Sequence, residues 1–224
     1  IVGTSSLRRE SQLRARFPHL KVQPLRGNVQ TRLRKLDEGQ YAAIILAAAG
    51  LKRLGLSDRI AALLPSEQSL PAVGQGALGI ECRADRPDLV EWLQPLHHQT
   101  TAYCVEAERA MSRVLGGSCQ VPLGAFGEIF DGVLQLRGFV AQPDGLRIVS
   151  DTISGQPTQG LQLGQLLAEK LIHQGAGEIL AALVPAEGCR WRRRHWRPGR
   201  ADDLEGADGE PALPEHLAGQ GHLS

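Results

Sequence analysis

Ile1-Val2-Gly3-Thr4-Ser5-Ser6-Leu7-Arg8-Arg9 opens as a short apolar strand, runs into three hydroxyl residues and continues into paired arginines. Hydroxyl side chains accept from the orphan N–H groups of a first helical turn, so this stretch predicts a cap on a helix over Leu7 to Arg16. Such a strand-to-helix turn points its amides outward and favours anions. With Thr4, Ser5, Ser6, Arg8 and Arg9 around it, the turn reads as a carboxylate cradle. Solvated arginines on a helix face are the plain alternative.

Two further strand-to-helix turns follow. Lys21 to Leu25 predicts a strand, and Arg26-Gly27-Asn28 leads into a helix with Val29, Leu33 and Leu36 on one face, so that Arg26 and Arg32 flank one crevice. Tyr41 to Ala47 is apolar throughout, as expected for a parallel strand covered on both faces. Small residues at 47 to 50 then allow a ligand close to the main chain, and Lys52 and Arg53 add positive charge at the strand's carboxyl end. Open α/β sheets bind ligands at that edge. Of 25 basic residues 21 are Arg, and guanidinium forks match carboxylates two bonds at a time, which suits a ligand carrying several carboxylates. Genome composition would also give an arginine excess, so the positions weigh more than the count.

The second half changes character. A helical pattern through Glu106 to Leu115 runs into Gly116-Gly117-Ser118-Cys119-Gln120-Val121-Pro122-Leu123-Gly124. Strand patterns follow at Val121 to Phe126, Val133 to Val140 and Arg147 to Ile153, then a helix over Leu161 to Gln174, which together make a small α+β domain. Glycines beside the thiol place Cys119 in a hinge that presents it, so it reads as a tethering sulfur able to carry a covalent group. A small apolar filler is the alternative. Adjacent His97 and His98 point in different directions on a helix and read as caps or surface groups rather than metal ligands. Glu108 and Arg109 read as anchors of their helix to the hinge. Cysteines 82, 104, 119 and 189 show neither C-x-x-C spacing nor a disulfide-dense pattern, which disfavours zinc.

Taken in order, these segments resemble the porphobilinogen deaminases, also called hydroxymethylbilane synthases. The resemblance rests on Val2 to Arg9, Leu25 to Val29 with Thr31 to Leu33, Ala43 to Ala47 with Ala49 to Gly55, Leu70 to Ala77, Gly79 to Arg83, Ala107 to Met111 and the Gly117 to Gly124 hinge. It covers roughly residues 1 to 184. It implies a transferase that joins porphobilinogen units head to tail with loss of ammonia, on a dipyrromethane cofactor, and then releases hydroxymethylbilane by hydrolysis. By the family's pattern Cys119 carries the cofactor through a thioether. Thr4, Ser5, Ser6, Arg8, Arg9, Arg26, Gly27 and Arg32 would bind that cofactor, and Arg26, Arg32 and Arg53 the substrate carboxylates. The implied fold is α/β: a periplasmic-binding-protein-like α/β domain followed by a small α+β carboxy-terminal domain. Residues 1–71 would be the family's second domain, nearly complete. Residues 72–98 would be a returning segment of an incomplete first domain, and 99–188 the cofactor-attachment domain.

The chain departs from the family pattern at both ends. It begins at Ile1, inside a strand and without Met, whereas the family carries its catalytic aspartate in a preceding segment. The expectation is a fragment, inactive alone. Asp37, Glu38, Asp58, Glu67 and Asp85 match no catalytic position, so no catalytic acid is assigned. Beyond Cys189 an Arg/Trp-rich run and then an acidic one extend to Ser224. Without apolar periodicity, residues 189–224 read as a disordered or altered-frame tail rather than a nucleic-acid or membrane binder.

With 42% hydrophobic and 22% charged residues among 224, composition is ordinary for a globular chain, and a net charge of +1 gives no long-range steering. No apolar run is long enough to span a bilayer. The resemblance implies porphobilinogen as the small-molecule partner, and the further expectation is no nucleic acid, no membrane and no metal, in a cytoplasmic monomer. Two other readings stay open: a non-catalytic carboxylate-binding α/β module, and an unrelated thiol enzyme using Cys119 with His97 or His98 as base.

Overall fold

A computed structural model describes residues 1–116 and 121–183. The first part alternates strand and helix: β1 (Val2–Gly3), α1 (Leu7–Arg16), β2 (Val22–Gln23), α2 (Val29–Asp37), β3 (Ala43–Ile44) and α3 (Ala48–Arg53). The three strands pair in parallel in the order β2-β1-β3, with Val2 opposite both Val22 and Ala43. Because β1 is central and its two neighbours lie on opposite sides, the carboxyl end of β1 is the point at which an open parallel sheet forms a ligand crevice. Ser6 caps α1 and Asn28 caps α2, each side chain accepting from the amide three residues on.

Tyr41 to Ala47 differs from the expectation of a strand covered on both faces. Only Ala43 and Ile44 enter the ladder, Ala43 is exposed, and Ile44 to Leu46 are half-buried. β3 pairs with β1 alone, so an apolar run able to be covered sits at an edge. Residues 77–86 enter no ladder, leaving Leu78 88% and Ile80 56% exposed; α4 (Pro87–Leu93) follows with Trp92 exposed.

The second part is α5 (Gln99–Leu115), an antiparallel sheet β4 (Leu123–Phe130), β5 (Val133–Ala141) and β6 (Ile148–Gly155), then α6 (Gly160–Leu171) and α7 (Gly177–Leu183). Asp131 and Gly132, both at positive φ, close the β4–β5 hairpin in a two-residue turn that matches strand twist. Ala107, Met111 and Leu115 of α5, Leu134 and Leu136 of β5, and Leu163, Leu167 and Leu171 of α6 form the main core. Mixed α/β architecture with two sheets is therefore what the chain adopts, in one compact unit over Ile1–Pro185. The tail reading for 189–224 lies outside the described residues, as does the hinge at 117–120.

Glycine at 164 sets how closely α6 approaches α5. A Cβ there would stand 2.2 Å from the Ala107 carbonyl oxygen and 2.7 Å from the Ala110 Cβ. Backbone cannot yield as a side-chain tip can, so overpacking should cost about 3 kcal/mol against about 1 kcal/mol of helix propensity gained. Gly164→Ala is expected to lose about 2 kcal/mol in urea unfolding, whereas Leu161→Ala, on the exposed side of α6, should change stability by under about 0.5 kcal/mol.

Candidate functional site

The turns that end β1 and β2 are sewn together by a hydroxyl. Ser5 Oγ donates to the Leu25 carbonyl at 2.8 Å and accepts from the Leu25 amide at 2.9 Å. Thr4, buried, accepts from the Ser6 amide at 3.2 Å, and Ser6 accepts from the Arg9 amide at 3.4 Å. All three predicted hydroxyls thus shape the turn that presents the arginines. At the β2 turn Gly27 takes a φ of 118°, and a Cβ there would meet Thr31 at 2.8 Å, so the turn requires glycine. The Gly27 carbonyl then accepts from Arg32 Nε at 2.7 Å.

Three guanidiniums are aimed by main-chain carbonyls rather than carboxylates. Arg8 is 8% exposed and donates to the Leu70 carbonyl and, at 3.2 Å, to Gln75 Oε1. Arg9 reaches across to the Ile45 carbonyl, beyond the carboxyl end of β3, at 3.2 Å. Arg32 bends back on Gly27. Burial, then the neighbouring charge of Arg9, pulls Arg8 down to about 10, and burial followed by the charge of Arg32 lowers Arg9. Arg8, Arg9 and Arg32 therefore form one electrostatically coupled cluster at the strand ends. Arg26 and Arg53 are exposed, Arg53 at the end of α3. A Cβ on Gly50 would find only Val29 Cγ2, at 4.0 Å, so the main chain beside α3 is open to close approach.

Among the described residues Arg8, Arg9, Arg26, Arg32 and Arg53 make no ion pair, while other arginines engage several of the acids. Arg14 pairs with Glu10, Arg34 with Glu38, Arg59 with Asp37, Arg83 with Asp85, and Arg137 with Glu67 and Glu128. The predicted ligand arginines are thus among those without an ion-pair partner within the described residues, as are Arg16, Arg109 and Arg113. That pattern fits a group bearing several carboxylates, the class to which a dipyrromethane with acidic side chains belongs. A cleft of about 700 Å³ along the far half of α1, between Gln12, Arg16, Glu67, Arg137 and Asp151, contains none of these arginines.

Cys119 lies outside the described residues, but both ends of its connection are fixed. Gly116 ends α5 in the left-handed conformation, and Val121 is buried in the core. His98 caps α5 through Thr101, as its sequence position suggested. Glu108, 5% exposed, anchors α5 at two places that both lie outside the hinge to which the sequence reading assigned it: it accepts from the Gly127 amide at 2.8 Å and from the Gly74 amide at 2.6 Å. Burial raises its carboxyl pKa. The Gly74 bond and the grip of Arg8 on Leu70 and Gln75 were absent from the sequence reading. The one local sign was Gln12, one helical turn beyond Arg8, which also holds Leu70 by its amide and its carbonyl.

Comparison with known proteins places the chain in a family. Residues 1–91 match the family model described as porphobilinogen deaminase, dipyromethane cofactor binding domain, and residues 102–173 match porphobilinogen deaminase, C-terminal domain. The chain belongs to the porphobilinogen deaminase family. It is 74% identical over 184 residues to a porphobilinogen deaminase of Nitrosomonas europaea, covering 82% of this chain and 60% of that protein. The corresponding protein of Methylobacillus flagellatus is 64% identical over 183 residues, covering 82% of this chain and 59% of that one. In Paraburkholderia phytofirmans the figures are 62% over 191 residues, 84% and 56%. The chain thus spans about 60% of the length of such relatives. The cofactor named for the family's first domain model is a dipyromethane.

The electrostatics predict a response to polyanions. At pH 7 the crowded guanidiniums stay charged in the folded state at a cost the unfolded chain does not bear, and a bound polycarboxylate relieves it. Benzene-1,3,5-tricarboxylate should raise the Tm of the chain at low salt. Arg9→Ala should weaken its binding about tenfold, the loss of one charge-assisted hydrogen bond. For Arg8 the folded pKa lies below the unfolded one, so the intrinsic stability of the free chain should rise with pH above about 10, while the tricarboxylate-induced gain shrinks there. Thermal melts across pH and salt read both effects.

Proposed function

We propose that this chain is the cofactor-bearing part of a hydroxymethylbilane synthase. It condenses porphobilinogen units head to tail with loss of ammonia and releases the linear tetrapyrrole by hydrolysis. The observation that carries the reading is the cluster of Arg8, Arg9 and Arg32 at the carboxyl ends of β1 to β3, coupled to one another and paired with no acid among the described residues. Each porphobilinogen unit brings two carboxylates into the same cleft, so a growing chain needs accumulated positive charge of this kind.

In this reading Cys119 holds the dipyrromethane through a thioether, a bond stable to water, so the primer outlasts each cycle. When bound, the group supplies a pyrrole carbon as the nucleophile for chain growth. Arg9 and Arg32 bind its carboxylates, with Arg8 adding the N–H donors left over from its two hydrogen bonds. Thr4, Ser5 and Ser6 hold the turn and Gly27 keeps the β2 turn low, while Arg26, Arg32 and Arg53, half-buried or exposed around the crevice, receive substrate carboxylates. Asp37, Glu38, Glu67 and Asp85 are each engaged by an arginine outside the cluster, consistent with assigning none of them the catalytic proton chemistry. The catalytic acid belongs to the portion of the family's sequence that this chain does not span, so the chain alone is expected to be inactive. The same reading takes porphobilinogen as the partner of a cytoplasmic monomer, with no nucleic-acid or membrane ligand.

Intact mass spectrometry tests the assignment. With the amino-terminal portion of a relative fused ahead of Ile1 and porphobilinogen supplied, the protein should carry a dipyrromethane-sized increment, and Cys119→Ser should carry none. Turnover of porphobilinogen by unmodified protein, or an increment that persists in Cys119→Ser, overturns the reading. Tricarboxylate binding with no increment at all would favour a non-catalytic carboxylate-binding module.

A further inference from the structure

Arg8 is a buried cation held by neutral partners. It is 8% exposed, and a charge so far from water ordinarily meets an opposite charge. Arg8 instead donates to the Leu70 carbonyl and, at 3.2 Å, to Gln75 Oε1. The carbonyl is itself fixed, since Gln12 donates to it at 3.2 Å and accepts from the Leu70 amide at 2.7 Å. Leu70 to Gly76 forms a short strap that carries no charged side chain. Of the two groups that hold Arg8, the Leu70 carbonyl stays neutral whatever the sequence. Gln75 is the partner that a substitution can charge.

Two donors converge on the Gln75 side chain. Its Oε1 accepts from the Ala72 amide at 3.2 Å as well as from Arg8, while the Gln75 amide donates to the Ala72 carbonyl at 2.9 Å. These bonds close a turn between Ala72 and Gln75, so the side chain is held at both of its ends. Because an N–H arrives from each side, the atom between them must be an acceptor, which sets the amide with its oxygen towards Arg8. A carboxylate has the same shape, offers more acceptor capacity and would turn the contact with Arg8 into an ion pair. Glutamate would therefore fit this turn and hold Arg8 more tightly than glutamine does. It would also cancel the positive charge that Arg8 contributes beside Arg9.

We propose that Gln75 is a positioning residue: its side-chain oxygen aims Arg8 without compensating it, and the neutrality of position 75 sets the affinity of the strand-end cluster for polycarboxylates. The proposal rests on the reading of Arg8, Arg9 and Arg32 as the carboxylate site. Stability and binding make opposite demands at this position. Folded Arg8 bears the cost of burial and of the Arg9 charge. A carboxylate at position 75 relieves that cost, and in doing so removes one charge from the field that a ligand meets.

Titration calorimetry with benzene-1,3,5-tricarboxylate at low salt, together with thermal melts at pH 7, tests this on the 224-residue chain. Gln75→Glu should raise the Tm by about 2 to 4 °C, the shift that goes with one added charge-assisted bond. Its affinity for the tricarboxylate should fall roughly tenfold, and the loss of affinity with added salt should be shallower than in the wild type. Gln75→Met keeps the bulk but offers no strong acceptor, so Arg8 stays charged and is no longer aimed. Here the affinity should fall about threefold with the salt dependence of the wild type and no gain in Tm. Gln162→Glu makes the same charge change on the exposed side of α6 and should bind as the wild type does. Wild-type affinity in Gln75→Glu or in Gln75→Met overturns the proposal and leaves the carboxylate site standing. A Tm that does not rise in Gln75→Glu while affinity drops also overturns it, since that marks a general structural role for the strap. A wild-type chain that does not bind the tricarboxylate takes down the site and the proposal together.

Discussion

Like charges brought together at the end of a parallel sheet are the constraint around which the first half of the chain is arranged. Guanidinium groups repel, and partial burial strengthens the repulsion by lowering the dielectric around them. Had the fold used carboxylates to hold Arg8, Arg9 and Arg32, the cluster would be neutral and useless as an anion site. It uses carbonyls instead: Leu70 for Arg8, Ile45 for Arg9 and Gly27 for Arg32. A carbonyl orients an arginine through a dipole without cancelling its charge, so each side chain is aimed and the net positive field survives. The acids that might have quenched it are held elsewhere by other arginines, at exposed pairs worth little to stability. Their separation from the cluster matters more than their strength.

Local chemistry in the sequence carried the caps and the helices well. Ser6 ahead of Leu7 and Asn28 ahead of Val29 mark helix starts because a cap is a contact between residues three apart. Tyr41 to Ala47 shows where that legibility stops. Its uninterrupted apolar composition says that a strand could be buried on both faces, but burial needs neighbours, and only β1 pairs with it. The strand Val121 to Phe126 likewise starts at Leu123 and runs on to Phe130, because pairing with Val133 across the hairpin, not hydrophobicity, sets its end.

The arginines themselves were legible and their supports were not. Arg8, Arg9 and Arg32 announce themselves by position after strand patterns. The partners that orient them lie at sequence separations of 62, 36 and 5 residues, and only the last falls within reach of a local pattern. Glu108 repeats the lesson: its place just before the hinge suggested an anchor to the hinge, whereas its bonds to Gly127 and Gly74 depend on how distant segments meet. Glycines mislead in the same way. Gly138, Gly160 and Gly164 look like weak points of a strand and a helix, yet Met111, Tyr103 and Ala107 occupy the space their side chains would take, so each marks the closest contact of α5 with its neighbours.

These close contacts bear on the tether. α5 is locked to α6 and to the sheet, and Val121 is buried in the same core, so both ends of the connection through Cys119 are immobilised by packing. From Gly116 the sulfur-bearing residue is three residues away, a span of at most about 11 Å even when fully extended. In the proposed reading a group carried there cannot search far for its counter-charges, and whatever fixes the α/β part against α5 and β4 would bring them to it. Hydrophobic contact alone is non-directional, whereas hydrogen bonds weaken steeply when their geometry departs from linear. Directional bonds to a short strap, made by one arginine, one glutamine and one doubly accepting glutamate, supply the precision that the apolar core does not.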